Sequence, residues 1–129
     1  NVMINGVHHI ALKARDEVNF EEVLAFYGET LGCPAVRTWG EGAGRGAMLD
    51  LGNTLLEVFA DGAGLPDKGR FAHIALRTDD VDGMIEQMRA LGRPILVEPK
   101  DAVLGGDYPI RVGFCQGPAG EEVEFFCER

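Results

Sequence analysis

Polar and apolar positions alternate through HIALK at His9–Lys13, and the same alternation returns in HIALR at His73–Arg77, 64 residues later. A period of two is the mark of a strand with one face buried. Downstream of each copy an acidic turn leads into a segment whose apolar residues recur every three to four positions. In RDEVNFEEVLAFYGETLG these are Phe20, Val23, Leu24, Tyr27 and Leu31; in TDDVDGMIEQMRALG they are Val81, Ile85, Met88 and Leu91. That spacing predicts two amphipathic helices whose stripes face a core. Asn19 and Asp80 are the expected N-caps, and Gly32 and Gly92 the expected left-handed residues that stop the helices.

After each helix the pattern returns to short strand-like runs punctuated by Gly, Pro and Asn: AVRTW, GAMLDL and TLLEVFA in the first half, PILVE, PIRVGFC and EEVEFFC in the second. Each half therefore reads strand, helix, strand, strand, strand. The chain is expected to be an α+β protein of two tandem βαβββ modules, module one at about 6–61, a Gly- and Pro-containing linker at about 62–70, and module two at about 71–129. GAGRGA, within the glycine run Gly40–Gly46, formally fits a dinucleotide-binding pattern, but that motif needs a following helix. Strands follow here, so a hairpin turn is expected.

Strand parity sorts the polar residues by face. His9, Ala11 and Lys13 point one way, Ile10 and Leu12 the other; His73, Ala75 and Arg77 stand opposite Ile74 and Leu76. The last strand of each half adds a carboxylate: Glu57 alternates with Leu56 and Val58, Glu124 with Val123 and Phe125, the two glutamates lying 67 residues apart. A charge between apolar strand residues is costly to bury unless it is paired or binds a metal. Each half thus offers one His and one Glu on the face turned away from its own helix, and two curling sheets would bring two His and two Glu together. His8 has the opposite parity and no counterpart, Ala72 standing in its place.

Composition narrows the partners. With 21 Asp plus Glu against 12 Lys plus Arg the formal net charge is -9, which repels nucleic acid and anionic membrane surfaces. No apolar run approaches the roughly 20 residues needed to span a bilayer, and a soluble cytoplasmic protein acting on a small-molecule substrate is expected. Cys33, Cys115 and Cys127 form no C-x-x-C pair and read as small buried hydrophobes rather than a disulfide framework.

HHIALKARD, AFYGETLG, TLLEVF, AHIALRTDDVD and GPAGEEVEFF follow one another in the order found in the vicinal oxygen chelate superfamily, the glyoxalase, bleomycin-resistance and extradiol dioxygenase group, which the chain resembles over nearly its whole length. FY-x-x-x-LG and GP-x-GE-x-x-E are the most specific marks. The resemblance implies an open, U-shaped sheet around a metal cleft, and a homodimer whose sites can be built from two chains. Its ligand set, similar to that of bacterial glyoxalase I, implies His9, Glu57, His73 and Glu124 as ligands of a divalent metal. Two imidazoles and two carboxylates suit zinc, nickel, cobalt or manganese.

The activity so implied is that of a lyase or isomerase acting through an enediolate on a small α-oxo carbonyl compound or its thiol adduct, with Glu124 as the base and Glu57 as the second carboxylate. Where glyoxalase I has an arginine and an asparagine tied to glutathione, this chain has Lys13 and Asp61, which puts use of glutathione in question. The alternatives within the superfamily are an antibiotic-binding protein, with Trp39, Phe59 and Phe126 as stacking surfaces, or an epimerase or dioxygenase. The fourth ligand position, filled by Glu57, favours the isomerase branch over the two-His, one-carboxylate dioxygenases. Leu104–Pro109 is expected to form either a flap carrying Tyr108 or an ordinary solvated hairpin loop.

Overall fold

The computed structural model describes residues 7–65, 73–104 and 107–129. Its strands are β1 (His9–Lys13), β2 (Ala35–Trp39), β3 (Gly46–Asp50), β4 (Leu55–Phe59), β5 (Ile74–Arg77), β6 (Ile95–Leu104), β7 (Tyr108–Gln116) and β8 (Glu122–Glu128). Its α-helices are α1 (Glu17–Leu24) and α2 (Val81–Ala90). The chain divides into two compact units, Asn1–Pro66 and Asp67–Arg129. Each holds one four-stranded mixed sheet, ordered β1-β4-β3-β2 in the first and β5-β8-β7-β6 in the second. The first strand of each unit pairs in parallel with the last, and the remaining pairings are antiparallel. The expected α+β fold of two tandem βαβββ modules is therefore observed. Most of the expected linker, residues 66–72, lies outside the described residues.

Helix α1 begins three residues earlier than the sequence pattern suggests. Asp16, in extended backbone at φ -160°, is the N-cap and accepts from the Asn19 N–H at 2.8 Å. Asn19, the expected cap, instead lies buried in the first turn, where its Oδ1 accepts from the Arg15 N–H at 3.0 Å. Two otherwise unpaired backbone donors are satisfied reciprocally, as in a capping box. Asp80 caps α2 as expected, accepting from the Gly83 N–H at 2.9 Å. A Cβ on Gly83 would stand 2.2 Å from Asp80 Oδ2, so a larger residue there would push the capping carboxylate aside. Gly32 and Gly92 take φ of 77° and 79° and end the helical segments as expected.

Beyond Leu24 the first helix widens into a π-helical turn, Ala25–Thr30, in which the Leu31 N–H reaches back five residues to Phe26 O at 3.0 Å. The wider turn brings the adjacent Phe26 and Tyr27 both into buried positions, edge to face at 4.9 Å. No such turn follows α2, and the first helical segment is correspondingly longer.

In the first unit α1 lies on β4, and Phe20, Val23 and Tyr27 pack with Ala47, Leu49, Leu56 and Val58. Ile10, on the helix side of β1 by parity, remains 40% exposed because β1 ends the sheet. In the second unit α2 lies on β6, β7 and β8, and Val81, Ile85 and Met88 pack with Cys115, Val123 and Phe125. Contact there is close: a Cβ on Gly113 would stand 2.7 Å from Ile85 Cγ1. Arg111 ties the same helix to the sheet with two bonds of 2.7 Å to the Asp82 carboxylate and one of 3.2 Å to Asp101.

The glycine run forms a hairpin loop between β2 and β3 as expected, with one 3-10 turn at Gly42–Gly44. Strand β6 was expected to stop at Glu98 but continues past Pro99 to Leu104. Pro99 falls where the register with β7 shifts, on the last strand of the sheet, so its missing N–H breaks no ladder bond. Cys115 is buried with its thiol pushed up to about 11 by burial, whereas Cys33 and Cys127 are only partly covered. Among the described residues no helix is long and apolar enough to cross a membrane.

Candidate metal centre

The parallel ladder fixes which side chains meet on the face away from each helix. In the first module Ile10 lies opposite Leu56, Ala11 opposite Glu57 and Lys13 opposite Phe59. In the second, Ile74 lies opposite Val123, Ala75 opposite Glu124 and Arg77 opposite Phe126. The register is the same in both, so each histidine precedes the row of its glutamate by two residues and leans along its strand toward the carboxylate. His9 Nε2 stands 3.4 Å from Glu57 Oε1, and His73 Nε2 stands 3.1 Å from Glu124 Oε1.

Both pairs have the spacing of two ligands of one ion. Donors about 2.1 Å from a common metal and 90–110° apart are separated by about 3.0–3.4 Å. Imidazole nitrogen and carboxylate oxygen are also the donor types that first-row divalent ions take. The residues present therefore fit the metal that the resemblance implies. The structure brings the four expected residues together two by two. Among the described residues no group of three or more His, Cys, Asp or Glu side chains is gathered as a metal holder.

The two pairs sit in different surroundings. Phe114 lies opposite Glu124 on β7, its ring edge-on to His73 at 5.4 Å, whereas Met48 occupies the equivalent place opposite Glu57. Glu124 is 7% exposed, and burial raises its carboxyl above the ordinary range, an effect partly offset by His73. Phe114 was not anticipated; only the β7–β8 register reveals its place.

One step along the first sheet, Lys13, Phe59, Gly46 and Trp39 form a continuous cross-strand row on the same face. Trp39 meets Phe59 edge to face at 6.1 Å, its indole lying over Gly46, where a Cβ would come within 2.3 Å of the ring. Lys13 Nζ lies 5.8 Å from the Phe59 ring centre and 3.4 Å from Asp61. Phe126, in the second module, pairs with Tyr108, whose hydroxyl donates to Glu128 at 2.7 Å. Of the expected flap, Gly105 and Gly106 lie outside the described residues.

Residues 6–125 match the family described as the Glyoxalase/Bleomycin resistance protein/Dioxygenase superfamily. The chain belongs to that superfamily. Among solved structures it is similar to TnmS3, an antibiotic binding protein from Streptomyces sp. CB03234, with a TM-score of 0.76 and 23% identity over 100% of both chains. It is also similar to a glyoxalase/bleomycin resistance protein/dioxygenase from Alicyclobacillus acidocaldarius, with a TM-score of 0.70 and 20% identity over 96% of this chain and 92% of that one. A protein of the same description from Nocardioides gives a TM-score of 0.69 and 20% identity, covering 99% of this chain and 86% of that one. No curated protein matches the chain.

Proposed function

We propose that the two modules work as one glyoxalase-like domain, a metal-dependent lyase or isomerase of the glyoxalase I type, with His9, Glu57, His73 and Glu124 as the ligands of a divalent ion. The observation that carries this reading is the recurrence of one His–Glu pair, at ligand spacing and in one register, in both modules. Packing alone has no need to repeat a charged pair on the face away from the helix. The ion, as zinc, nickel, cobalt or manganese, supplies positive charge opposite a developing oxyanion.

The chain's own residues do the rest. His9, His73 and Glu57 hold their donors in place. Glu124, walled by Phe114 and made more basic by burial, takes the proton from the carbon next to a carbonyl and returns it to the neighbouring carbon. The substrate is a small α-oxo carbonyl compound or its thiol adduct. The protein is a cytoplasmic homodimer.

Metal analysis of protein purified without chelator tests the reading. The parent should carry about one divalent ion per His2Glu2 set, and His73→Ala should lose most of it. Full metal content in His73→Ala would overturn the ligand assignment.

A second reading, sequestration of an aromatic drug, is favoured by the row of Trp39, Phe59 and Lys13 and by the likeness to TnmS3 over the whole of both chains. Tight binding of such a compound by metal-free protein, unaffected by His73→Ala, would support it over the enzyme.

A further inference from the structure

We propose that Arg77, kept unpaired by Tyr108, is a specificity-determining residue: with Phe126 it forms a subsite in the second module for an organic anion, whose apolar body lies on the Phe126 ring and whose carboxylate meets the guanidinium. That this anion is the substrate rests on the function proposed above; its binding does not. The sequence offsets that relate the two histidines and the two glutamates also match Lys13 with Arg77, Phe59 with Phe126 and Asp61 with Glu128. The ladders agree. Lys13 lies opposite Phe59 and Arg77 opposite Phe126, and the backbone N–H that follows each cation, at Ala14 and at Thr78, donates to Phe59 O and to Phe126 O. Each module thus carries a cation and a phenyl ring one two-residue step, about 6.7 Å, along the strand from the row of its glutamate, with a second carboxylate beyond them.

The modules then differ in who holds that carboxylate. In the first, Lys13 Nζ stands 3.4 Å from Asp61, so its charge is answered within the chain. In the second, the Tyr108 hydroxyl donates to Glu128 Oε1 at 2.7 Å. That bond pushes the Tyr108 phenol above its ordinary range, which keeps it a donor at neutral pH. Arg77 is left exposed and, among the described residues, without an ion-pair partner. Arg45, Arg89 and Arg111, beside the helices, each hold a carboxylate. Tyr108 has no counterpart in module one, because β7 begins well before Val112, which lies opposite Phe126, whereas β3 begins at Gly46, which lies opposite Phe59. On a chain of formal net charge -9, an unanswered guanidinium beside a half-buried ring is a local reversal of sign that selects anions. Guanidinium takes a carboxylate through two parallel hydrogen bonds, and the ring takes an apolar body.

Binding of phenylacetate and of uncharged phenylacetamide to the metal-free protein, followed by backbone amide NMR, tests the subsite without the metal. The parent should bind the acid about 3–10-fold more tightly than the amide, with shifts centred on β5 and β8, and Arg77→Gln should bind the two equally. Tyr108→Phe keeps the ring but releases Glu128 to pair with Arg77, so the preference for the acid should largely vanish. Adding Glu128→Gln to it should restore the preference. No preference in the parent, the parental preference in Arg77→Gln, or an undiminished preference in Tyr108→Phe would overturn the proposal.

Turnover gives the second readout. Among hemithioacetals of methylglyoxal, kcat/KM for the adduct of mercaptoacetate should exceed that for the adduct of its methyl ester in the parent, by about the same factor, and not in Arg77→Gln. Equal values in a parent that prefers the free acid would overturn the assignment of the anion as substrate. A parent that takes up no divalent metal would instead overturn the function proposed above, and the NMR comparison would still decide the subsite.

Discussion

His73 Nε2 lies 3.1 Å from Glu124 Oε1 beside the ring of Phe114, which makes this the more enclosed of the two acid–imidazole contacts. Enclosure gives Glu124 a basicity that an open carboxylate lacks. Glu124→Gln keeps the size and one ligating oxygen but cannot accept a proton. Once a substrate is found among hemithioacetals of methylglyoxal with several thiols, turnover should fall by about 100-fold or more while metal largely remains. Near-normal turnover with metal bound would remove Glu124 as the base.

Mixing variants reports on how the pairs are combined. In a homodimer whose sites each take one pair from each chain, a His9→Ala subunit joined to a His73→Ala subunit forms one doubly damaged site and one intact site. Random reassembly of equal amounts should therefore restore about a quarter of the parental metal capacity, although neither variant alone carries much. Recovery of none, with mixed dimers verified by native mass spectrometry, would place all four ligands in one chain.

Ile85 and Gly113 should be energetically coupled. Gly113→Ala forces a methyl group against Ile85 Cγ1 and should lower stability by about 1–3 kcal/mol. Ile85→Ala empties a fully buried position and should cost about 2–5 kcal/mol. Ile85→Ala makes room for the added methyl, which in turn fills part of the space left, so urea unfolding of the double variant should show a loss smaller than the two single losses combined.

Asp82 gives the fold a defined acid dependence. Hydrogen bonds from Arg111 hold its carboxyl below the ordinary aspartate range. Its contribution is therefore present above the unfolded value of about 3.9 and is lost as pH falls through the lower folded value. Asp82→Asn should melt about 1–4 °C below the parent at pH 7, a modest effect because the pair is exposed. The gap should narrow as pH falls below about 3.9. A difference that did not narrow would mean that the substitution acts through packing rather than charge.

Much of this arrangement can be read from the chain because strand parity has a period of two and leaves little freedom: once HIAL and its repeat are strands, the faces of His9, Glu57, His73 and Glu124 follow. Features that turn on a single residue are less legible. The π turn differs from an α turn by one residue, and Leu24, Tyr27 and Leu31 satisfy the α period well enough to hide it. Asn19 and Asp16 are both good caps, and only the backbone at Asp16 decides between them. Parity sets His8 aside only if the strand already includes it, and the strand begins one residue later. Phe114 faces Glu124 through a register between strands, which no local pattern carries.

His9 opens the strand that ends its sheet and His73 directly precedes the matching strand β5, whereas each glutamate lies on a strand with neighbours on both sides. β1 and β5 are short, are bonded along one margin only, and carry apolar residues that their helices leave partly in solvent. Peeling either strand away would part an imidazole from its carboxylate while the layer beneath the helix stayed intact. Each His–Glu pair thus spans a joint at the margin of its module, and anything that grips both members of a pair acts as a clasp on that joint.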